Sequence, residues 1–92
     1  MKNTDAALIY RVLDGDENAF TEPVEKYQKQ VHALVWRKIG DFHIAEEITQ
    51  DTFLKAYKNL ATLKKPQRFA SWLYVIAANC CSSCLRKKRL WT

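Results

Sequence analysis

Apolar side chains recur every three or four residues along almost the whole chain, and this spacing is the strongest constraint on its fold. Such a period places them on one face of an α helix, whereas a half-buried strand would alternate apolar and polar residues. Only two glycines and two prolines interrupt the pattern, too few for the turns of an all-β fold. The spacing therefore predicts a single all-α domain, a compact bundle of four helices with a short first helix and long second and fourth helices.

Two helices are predicted in residues 1–40, divided by a glycine. Thr4 or Asp5 caps a short first helix, and Gly15 supplies its left-handed exit. Asp16 then caps the second helix, in which Pro23 removes a backbone donor and predicts a kink or a late start. The predicted inward residues are Leu8, Ile9, Val12 and Leu13 in the first helix and Phe20, Val24, Tyr27, Val31, Leu34 and Val35 in the second.

Asp41 is the predicted cap of a third helix whose two faces differ sharply. The inward stripe is Ala45, Ile48, Thr52, Phe53, Ala56 and Leu60, and the outward face carries Glu46, Glu47, Gln50, Asp51, Lys55 and Lys58. Leu54 falls on the outward face, among these charges. A single exposed leucine is ordinary, but one surrounded by charge is also typical of a contact with a partner protein.

A short basic linker over residues 61–66 separates the third helix from the fourth. It ends in Lys64, Lys65 and Pro66, and proline suits the first turn of a helix. The fourth helix is predicted to extend to Arg89. Its apolar stripe is Phe69, Trp72, Leu73, Ile76, Ala77 and Cys80.

The net charge of +5 is distributed unevenly along the chain. Residues 1–60 carry eight Lys or Arg and ten Asp or Glu, whereas residues 61–92 carry seven Lys or Arg and no acid. A basic stretch without acids suits binding to phosphates, because each contact releases condensed counterions. It also suits a merely soluble surface or a disordered basic tail. Charge alone leaves these readings open.

Aromatic and amide side chains accompany the basic residues. Trp72, Tyr74 and Trp91 stand among them, a combination that holds phosphates and stacks unpaired bases. Trp72 also lies on the apolar stripe with Phe69, which favours a core position for both. Asn79 either meets a base edge or bonds a neighbour in its own helix, and the second is the more ordinary role.

Motifs of catalysis are scarce in the sequence. It contains no glycine-rich phosphate loop, no nucleophile elbow and no histidine pair with a carboxylate at metal-ligand spacing. Cys80, Cys81 and Cys84 lie close together in a predicted helix, which favours reduced thiols over a disulfide or a zinc site. We therefore expect no enzymatic activity, no cofactor and no metal.

The sequence also bears on location. No run approaches the roughly 20 apolar residues that span a bilayer. Residues 1–18 lack the basic-then-apolar pattern of a signal peptide. A cytoplasmic location is therefore expected.

Several sequence blocks follow one another in a distinctive order. They are A-E-E-I-T-Q-D-T-F with A-Y at residues 45–57, F-A-S-W-L-Y-V-I-A-A-N at residues 69–79 and L-R-K-K-R at residues 85–89, preceded by Gly15-Asp16, Ala19-Phe20 and Tyr27. In this order and at this spacing the blocks resemble region 2 of the extracytoplasmic-function (ECF) group of sigma-70 family factors. The resemblance covers nearly the whole chain.

The resemblance implies a sigma region 2 domain over residues 1–92 that acts in bacterial transcription initiation. In such factors the outer face of the third helix, within residues 44–60 here, docks on the coiled coil of the β′ subunit of core RNA polymerase. The residues implied at this contact are Glu47, Gln50, Asp51, Leu54 and Lys58.

The resemblance further implies that residues 61–90 meet the promoter −10 element, where a base of the non-template strand is flipped out and captured. By position the candidate DNA-binding residues are Lys64, Lys65, Arg68, Ile76 and Asn79, with Tyr74 on a flank and Arg86, Lys87, Lys88 and Arg89 near the duplex backbone. Strand opening of this kind needs no covalent chemistry and no nucleotide hydrolysis.

Three positions depart from the family pattern. Pro23, Ala78 and Ser83 stand where the family usually has an apolar residue, an Arg and an Asp. Family members also carry a C-terminal region 4 that reads the −35 element, so a second domain is expected beyond Thr92, and the resemblance allows an anti-sigma factor as a further partner. Two other functions stay open: a generic basic helical protein that coats DNA or RNA, and a zinc- or thiol-dependent enzyme or redox sensor.

Overall fold

The computed structural model describes the backbone of residues 4–91 and the side chains of residues 4–88. Within this part of the chain there are four α helices and no strand, as the spacing of apolar residues predicts. The helices are α1 (Asp5–Leu13), α2 (Thr21–Ile39), α3 (Phe42–Lys58) and α4 (Phe69–Trp91). Short 3₁₀ turns precede α2 (Glu17–Phe20), follow α3 (Leu60–Thr62) and precede α4 (Pro66–Arg68).

Helix α1 begins and ends where its polar residues and glycine predict. The Thr4 hydroxyl accepts a hydrogen bond from the Ala7 N–H at 3.2 Å, so Thr4 and not Asp5 is the cap. Gly15 follows with φ of +106°, a conformation that favours glycine. The prediction that Leu13 points inward is wrong, because its side chain is 43% exposed. At 100° per residue it lies about 90° from the centre of the stripe formed by Leu8, Ile9 and Val12.

Helix α2 begins at Thr21, later than a start directly after Asp16, and this late start explains why Pro23 is tolerated. Because α2 begins at Thr21, Pro23 lies in its first turn, where its missing N–H would have no partner within the helix. The prediction of Asp16 as the cap of this helix is wrong. Its carboxylate bonds the Arg11 guanidinium at 2.8 Å and makes no cap hydrogen bond, and a 3₁₀ turn separates it from α2.

A tight connection joins α2 to α3. Gly40 ends α2 in the left-handed region, with φ of +80°, and its N–H donates to the Trp36 carbonyl. Asp41 then accepts a hydrogen bond from the Ile44 N–H at 2.9 Å, which confirms the predicted cap of α3. The two long helices therefore pack side by side along much of their length.

The segment between α3 and α4 is ordered by two buried anchors. Leu63 and Pro66 are buried, while Lys64 and Lys65 between them are exposed. Pro66 begins a 3₁₀ turn and not α4 itself. Helix α4 begins at Phe69, three residues after Pro66, which the sequence predicts in its first turn. Leu60, predicted as the last inward residue of the third helix, is buried but lies in the 3₁₀ turn that follows α3.

The core lies between α2, α3 and α4, with Phe69 near its centre. Its ring is fully buried and lies 6.1 Å from the Phe20 ring and 5.9 Å from the Tyr27 ring. The predicted stripe of α3 is buried as expected, and the Thr49 and Thr52 hydroxyls satisfy themselves by donating to backbone carbonyls one turn earlier. Trp72, expected in the core with Phe69, is only half-buried. Among the described residues no helix is long and apolar enough to cross a membrane.

Candidate nucleic-acid interface and docking face

The outward face of α3 is a mixed-charge surface with an exposed leucine at its centre. It comprises Glu47, Gln50, Asp51, Leu54 and Lys58, called the docking face below, and all five side chains are exposed. Leu54 is 52% exposed and lies among the charged and polar members of this face. No hydrogen bond or ion pair joins these five side chains to any described residue. Their polar groups are therefore available to a partner.

A groove between α2 and α3 borders the docking face. Gln50 and Leu54 contribute to a cavity of about 350 Å³ whose other walls are mostly apolar, with Gln28 and Thr49 as polar members. Those walls include Val24 of α2 and Phe53 and Tyr57 of α3. A partner that covers Leu54 would therefore reach apolar surface beyond it, as interface cores require.

The basic residues before α4 surround a second cavity, called the loop cavity below. It measures about 470 Å³ and is lined by Leu63, Lys64, Lys65, Arg68, Ser71, Trp72 and Val75. Lys64, Lys65 and Arg68 are exposed, and none of the salt bridges in the described part of the chain involves them. Val75 is 58% exposed at the rim. The cavity therefore combines three cationic groups with an indole and an apolar edge.

A third cavity lies on the other side of Trp72 and is called the helix cavity. It measures about 290 Å³, and its lining comes from α3, the turn after α3 and α4: Lys55, Asn59, Thr62, Trp72, Ile76, Asn79, Cys80 and Ser83. Trp72 belongs to both cavities, so one indole separates them. The structure thus brings five of the predicted DNA-binding residues to one continuous surface, namely Lys64, Lys65, Arg68, Ile76 and Asn79.

Asn79 makes no hydrogen bond within the described part of the chain. Its side chain is exposed on α4, and the bond to a neighbour in its own helix, the more ordinary role for such an amide, is absent. The full hydrogen-bonding capacity of the amide, two donors and an acceptor, therefore faces the helix cavity.

Tyr74 is not brought to this surface. It lies about 200° around α4 from Trp72, and its ring contacts the Tyr27 ring edge-on, with 6.3 Å between centroids. Tyr27 in turn donates a hydrogen bond from its hydroxyl to Asp5. Burial, followed by the neighbouring Asp5 carboxylate, raises the pKa of Tyr27 above its usual value. Tyr74 therefore belongs to the packing between α4 and α2.

The basic residues at the far end of α4 diverge around the helix. Arg86 lies close to the direction of Trp72, fourteen residues earlier, and its guanidinium donates to the Ser83 hydroxyl at 3.4 Å. Lys87 is exposed on the same side, whereas Lys88 lies on the opposite one. The side chain of Arg89, and Trp91 with it, lies outside the described residues.

The three cysteines are free thiols that face the core side of α4. Cys80 and Cys81 are buried and Cys84 is half-buried. Burial raises the pKa of the Cys81 thiol, which disfavours the thiolate that metal binding and redox chemistry need. In the part of the chain that the structure describes, no group of three His, Cys, Asp or Glu is placed to hold a metal ion.

Sequence reasoning missed the contribution of α3 to the helix cavity. The sequence places Lys55 only on the outward face of the third helix and indicates no role for Asn59 or Thr62. The contact of the end of α3 with the middle of α4 is a tertiary feature. Neither helix shows it in its own periodicity, so no signal in the sequence identifies these residues.

Comparisons with a family model and with known proteins all point to the same family. The family model described as Sigma-70 region 2 matches residues 23–90. The chain is 37% identical over 81 residues to the ECF RNA polymerase sigma factor SigW of Bacillus subtilis, covering 88% of this chain and 43% of that protein. It is 39% identical over 75 residues to the RNA polymerase sigma-H factor of Pseudomonas aeruginosa, covering 82% and 39%.

A solved structure is similar over almost the whole chain. It is the NMR structure of the complex formed by an engineered region 2 of sigmaE with GTAAAA. The TM-score is 0.86 at 34% sequence identity, covering 96% of this chain and 94% of that one. The curated relatives are longer, and this chain spans about two fifths of their length.

Proposed function

This chain belongs to the sigma-70 region 2 family, in its ECF group, and on that premise we propose that it binds core RNA polymerase and captures the opened −10 element of bacterial promoters. The docking face of α3 contacts the β′ coiled coil. The surface around Trp72 on α4 holds the non-template strand. This activity takes place in the cytoplasm, where polymerase and the bacterial chromosome meet.

One observation carries the DNA half of the proposal. In two cavities lined by no acidic residue, cationic side chains that lack carboxylate partners surround the half-buried indole of Trp72 and an amide without a hydrogen bond. Cations neutralise phosphates, an aromatic face stacks an unpaired base, and an amide reads a base edge. The relative of similar structure was solved in complex with GTAAAA, which supports a nucleic-acid-binding role for this fold.

The energetics favour capture of a base that has already left the duplex. Unstacking and unpairing a base costs a few kcal/mol. Stacking on an aromatic side chain returns roughly 1–3 kcal/mol per base, and contacts from Lys64, Lys65 and Arg68 to the backbone add a salt-dependent term. The loop cavity beside Trp72 is the site we assign to the flipped base. No bond is made or broken, so the domain stabilises the open strand by binding alone.

The polymerase half rests on the chemistry of the docking face. Its charges are of both signs, which suits a protein partner better than a polyanion. Leu54 supplies an exposed apolar centre, and the groove toward α2 extends it. Such an apolar centre within a polar rim is the usual arrangement of a protein interface.

Binding to an isolated β′ coiled-coil fragment tests the polymerase half. We expect the fragment to bind this chain, and Asp51→Arg to weaken binding at least about tenfold, since a charge reversal at an interface places like charges together. Glu22→Arg is the matched control, because Glu22 is an exposed acid on α2 outside the docking face. Equal affinities of the two variants would remove the docking assignment.

Binding to single-stranded oligonucleotides tests the DNA half. We expect Asn79→Ala to weaken binding to a −10 strand more than binding to a scrambled strand, because only the amide contact depends on sequence. Asn18→Ala, an exposed asparagine in the turn before α2, is the control. Equal losses on both strands would leave Asn79 without a role in recognition and favour a protein that coats nucleic acid without sequence preference.

A further inference from the structure

The basic turn before α4, residues 64–68, is supported from behind by the first helix. Lys64, Lys65 and Arg68 of this turn are exposed and line the loop cavity, while Pro66 is buried. Helix α1 packs on Pro66–Arg68 more extensively than any other helix does, although α1 contributes no residue to the cavity. A three-residue 3₁₀ turn has poor hydrogen-bond geometry of its own. Its position therefore depends on the element behind it.

Asp5 joins the start of α1 to α2. The Lys26 ammonium donates to one carboxylate oxygen at 3.1 Å, and the Tyr27 hydroxyl donates to the other. The Asp5 side chain is only 18% exposed, whereas that of Lys26 is 60% exposed. Hydrogen bonds to a carboxylate are roughly twice as strong as those between neutral groups. Both oxygens of a largely covered carboxylate therefore hold α1 against α2.

Tyr27 extends this contact to the other end of the basic turn. Its ring centroid lies 5.9 Å from that of Phe69, and Phe69 is the first residue of α4. Phe69 follows Arg68 directly in the chain. The turn is thus held on one side by α1 and on the other by Phe69, and the hydrogen bond from Tyr27 to Asp5 connects the two supports.

We propose that Asp5 is a positioning residue for DNA binding, which acts through α1 on the basic turn and does not itself touch the strand. The inference rests on the proposed function, because it requires that the cationic side chains of the turn contact the strand. A turn that occupies its binding position for only part of the time binds with an affinity lowered by that fraction. The Asp5 carboxylate raises this fraction by keeping α1 against the turn.

The sign of the effect separates positioning from simple electrostatics. Asp5 is an acid, and removing a negative charge from a protein strengthens its attraction to a polyanion. If Asp5 has no positioning role, the Asp5→Ala variant should therefore bind a single strand as well as the unmodified chain does, or better. Positioning predicts the opposite, a weaker complex.

Three variants isolate the contact. Asp5→Ala removes both hydrogen bonds, whereas Tyr27→Phe removes only the hydroxyl, keeps the ring against Phe69 and leaves the charge unchanged. Glu22→Ala is the control, because Glu22 is also an acid in the first turn of a helix. It is exposed, and its carboxylate has no ion pair in the described part of the chain.

The first measurement is the affinity for the single strand that the chain selects from a randomised pool. We expect Asp5→Ala and Tyr27→Phe each to weaken binding about fivefold, which corresponds to a turn in its binding position about one fifth of the time. The double variant should bind no more weakly than Asp5→Ala, because both changes break one shared contact. Glu22→Ala should bind at least as tightly as the unmodified chain.

Amide hydrogen exchange in the same variants shows which segment is loosened. The Arg68 amide donates to the Lys65 carbonyl at 2.8 Å. In the two variants at the contact this amide should exchange at least about fivefold faster, because local opening exposes it to water. The Phe53 amide in the middle of α3 should keep its rate.

The outcomes separate this inference from the function on which it rests. Unchanged or tighter strand binding by Asp5→Ala would overturn the inference alone. Faster exchange at Phe53 as well as at Arg68 would also overturn it, because the change would then be a general loss of stability. If Asp5→Ala loses helical content by circular dichroism, Tyr27→Phe decides, and an unchanged affinity in that variant overturns the inference. Failure of the chain to select any strand would overturn the proposed function and the inference with it.

Discussion

The docking face of α3 and the surface around Trp72 on α4 lie on neighbouring helices but differ in chemistry. The docking face carries acidic residues and a lysine around the exposed Leu54. The surface around Trp72 carries lysine and arginine side chains around the indole. The difference is already present in the chain, where residues 1–60 have a net charge of −2 and residues 61–92 have a net charge of +7. A single small core thus supports one surface suited to protein and another suited to nucleic acid.

The contrast also shows how the two surfaces are constructed. The docking face comes from one helix, so its members follow from the 3.6-residue period of that helix. The surface around Trp72 is assembled from α3, the connecting turns and α4. Its geometry therefore depends on how α4 packs against the rest of the domain.

Destabilising the shared core should disrupt both surfaces together. Phe69 is fully buried among Phe20 and Tyr27, so Phe69→Ala should lower the free energy of unfolding by about 3–5 kcal/mol. Urea denaturation followed by circular dichroism measures this change. Val75→Ala, on the exposed side of the same helix, should change stability by less than about 0.5 kcal/mol. Similar losses in both variants would contradict the assigned core.

Trp72 and Tyr74, which lie on different sides of α4, offer a sharper test of which side holds the strand. Trp72→Leu should weaken binding to a single strand about tenfold or more, because its indole borders both cavities. Tyr74→Leu should leave that affinity unchanged, because Tyr74 packs against Tyr27. Fluorescence anisotropy with a labelled strand measures both. A larger loss for Tyr74→Leu would place the strand on the opposite side of α4.

Neutralising the far end of α4 should have the smallest effect and one that is independent of sequence. Replacing Arg86 and Lys87 with Gln should weaken binding on every duplex alike. The slope of log affinity against log salt should fall by about 1.8 if both residues contact phosphates. A slope that does not change would show that the duplex does not contact this part of the helix.

Local rules predict the elements of this fold well and their mutual contacts poorly. The Thr4 and Asp41 caps and the buried stripe of α3 follow from short-range patterns that the structure confirms. Asp16 was wrongly predicted as a cap because an ion pair with Arg11 competes for its carboxylate. Local chemistry offers the side chain both options, and only the three-dimensional arrangement decides between them.

In the candidate site, too, individual residues can be predicted from the sequence better than the contacts between helices. The basic residues and Asn79 were identifiable from charge and from the family resemblance, and the structure brings Lys64, Lys65, Arg68, Ile76 and Asn79 to one surface. Tyr74 was included because it stands among those residues in the sequence, yet its helical position turns it toward α2. The part played by Lys55 could not be predicted, since it arises where α3 meets α4.

The most direct test of two separate surfaces is the affinity for a −10 single strand measured with and without a saturating β′ coiled-coil fragment. The account predicts that the fragment binds and that affinity for the strand is unchanged or higher in its presence, because the docking face and the surface around Trp72 are both free to be occupied at once. Competition between fragment and strand would contradict it, and would mean that both partners use one surface.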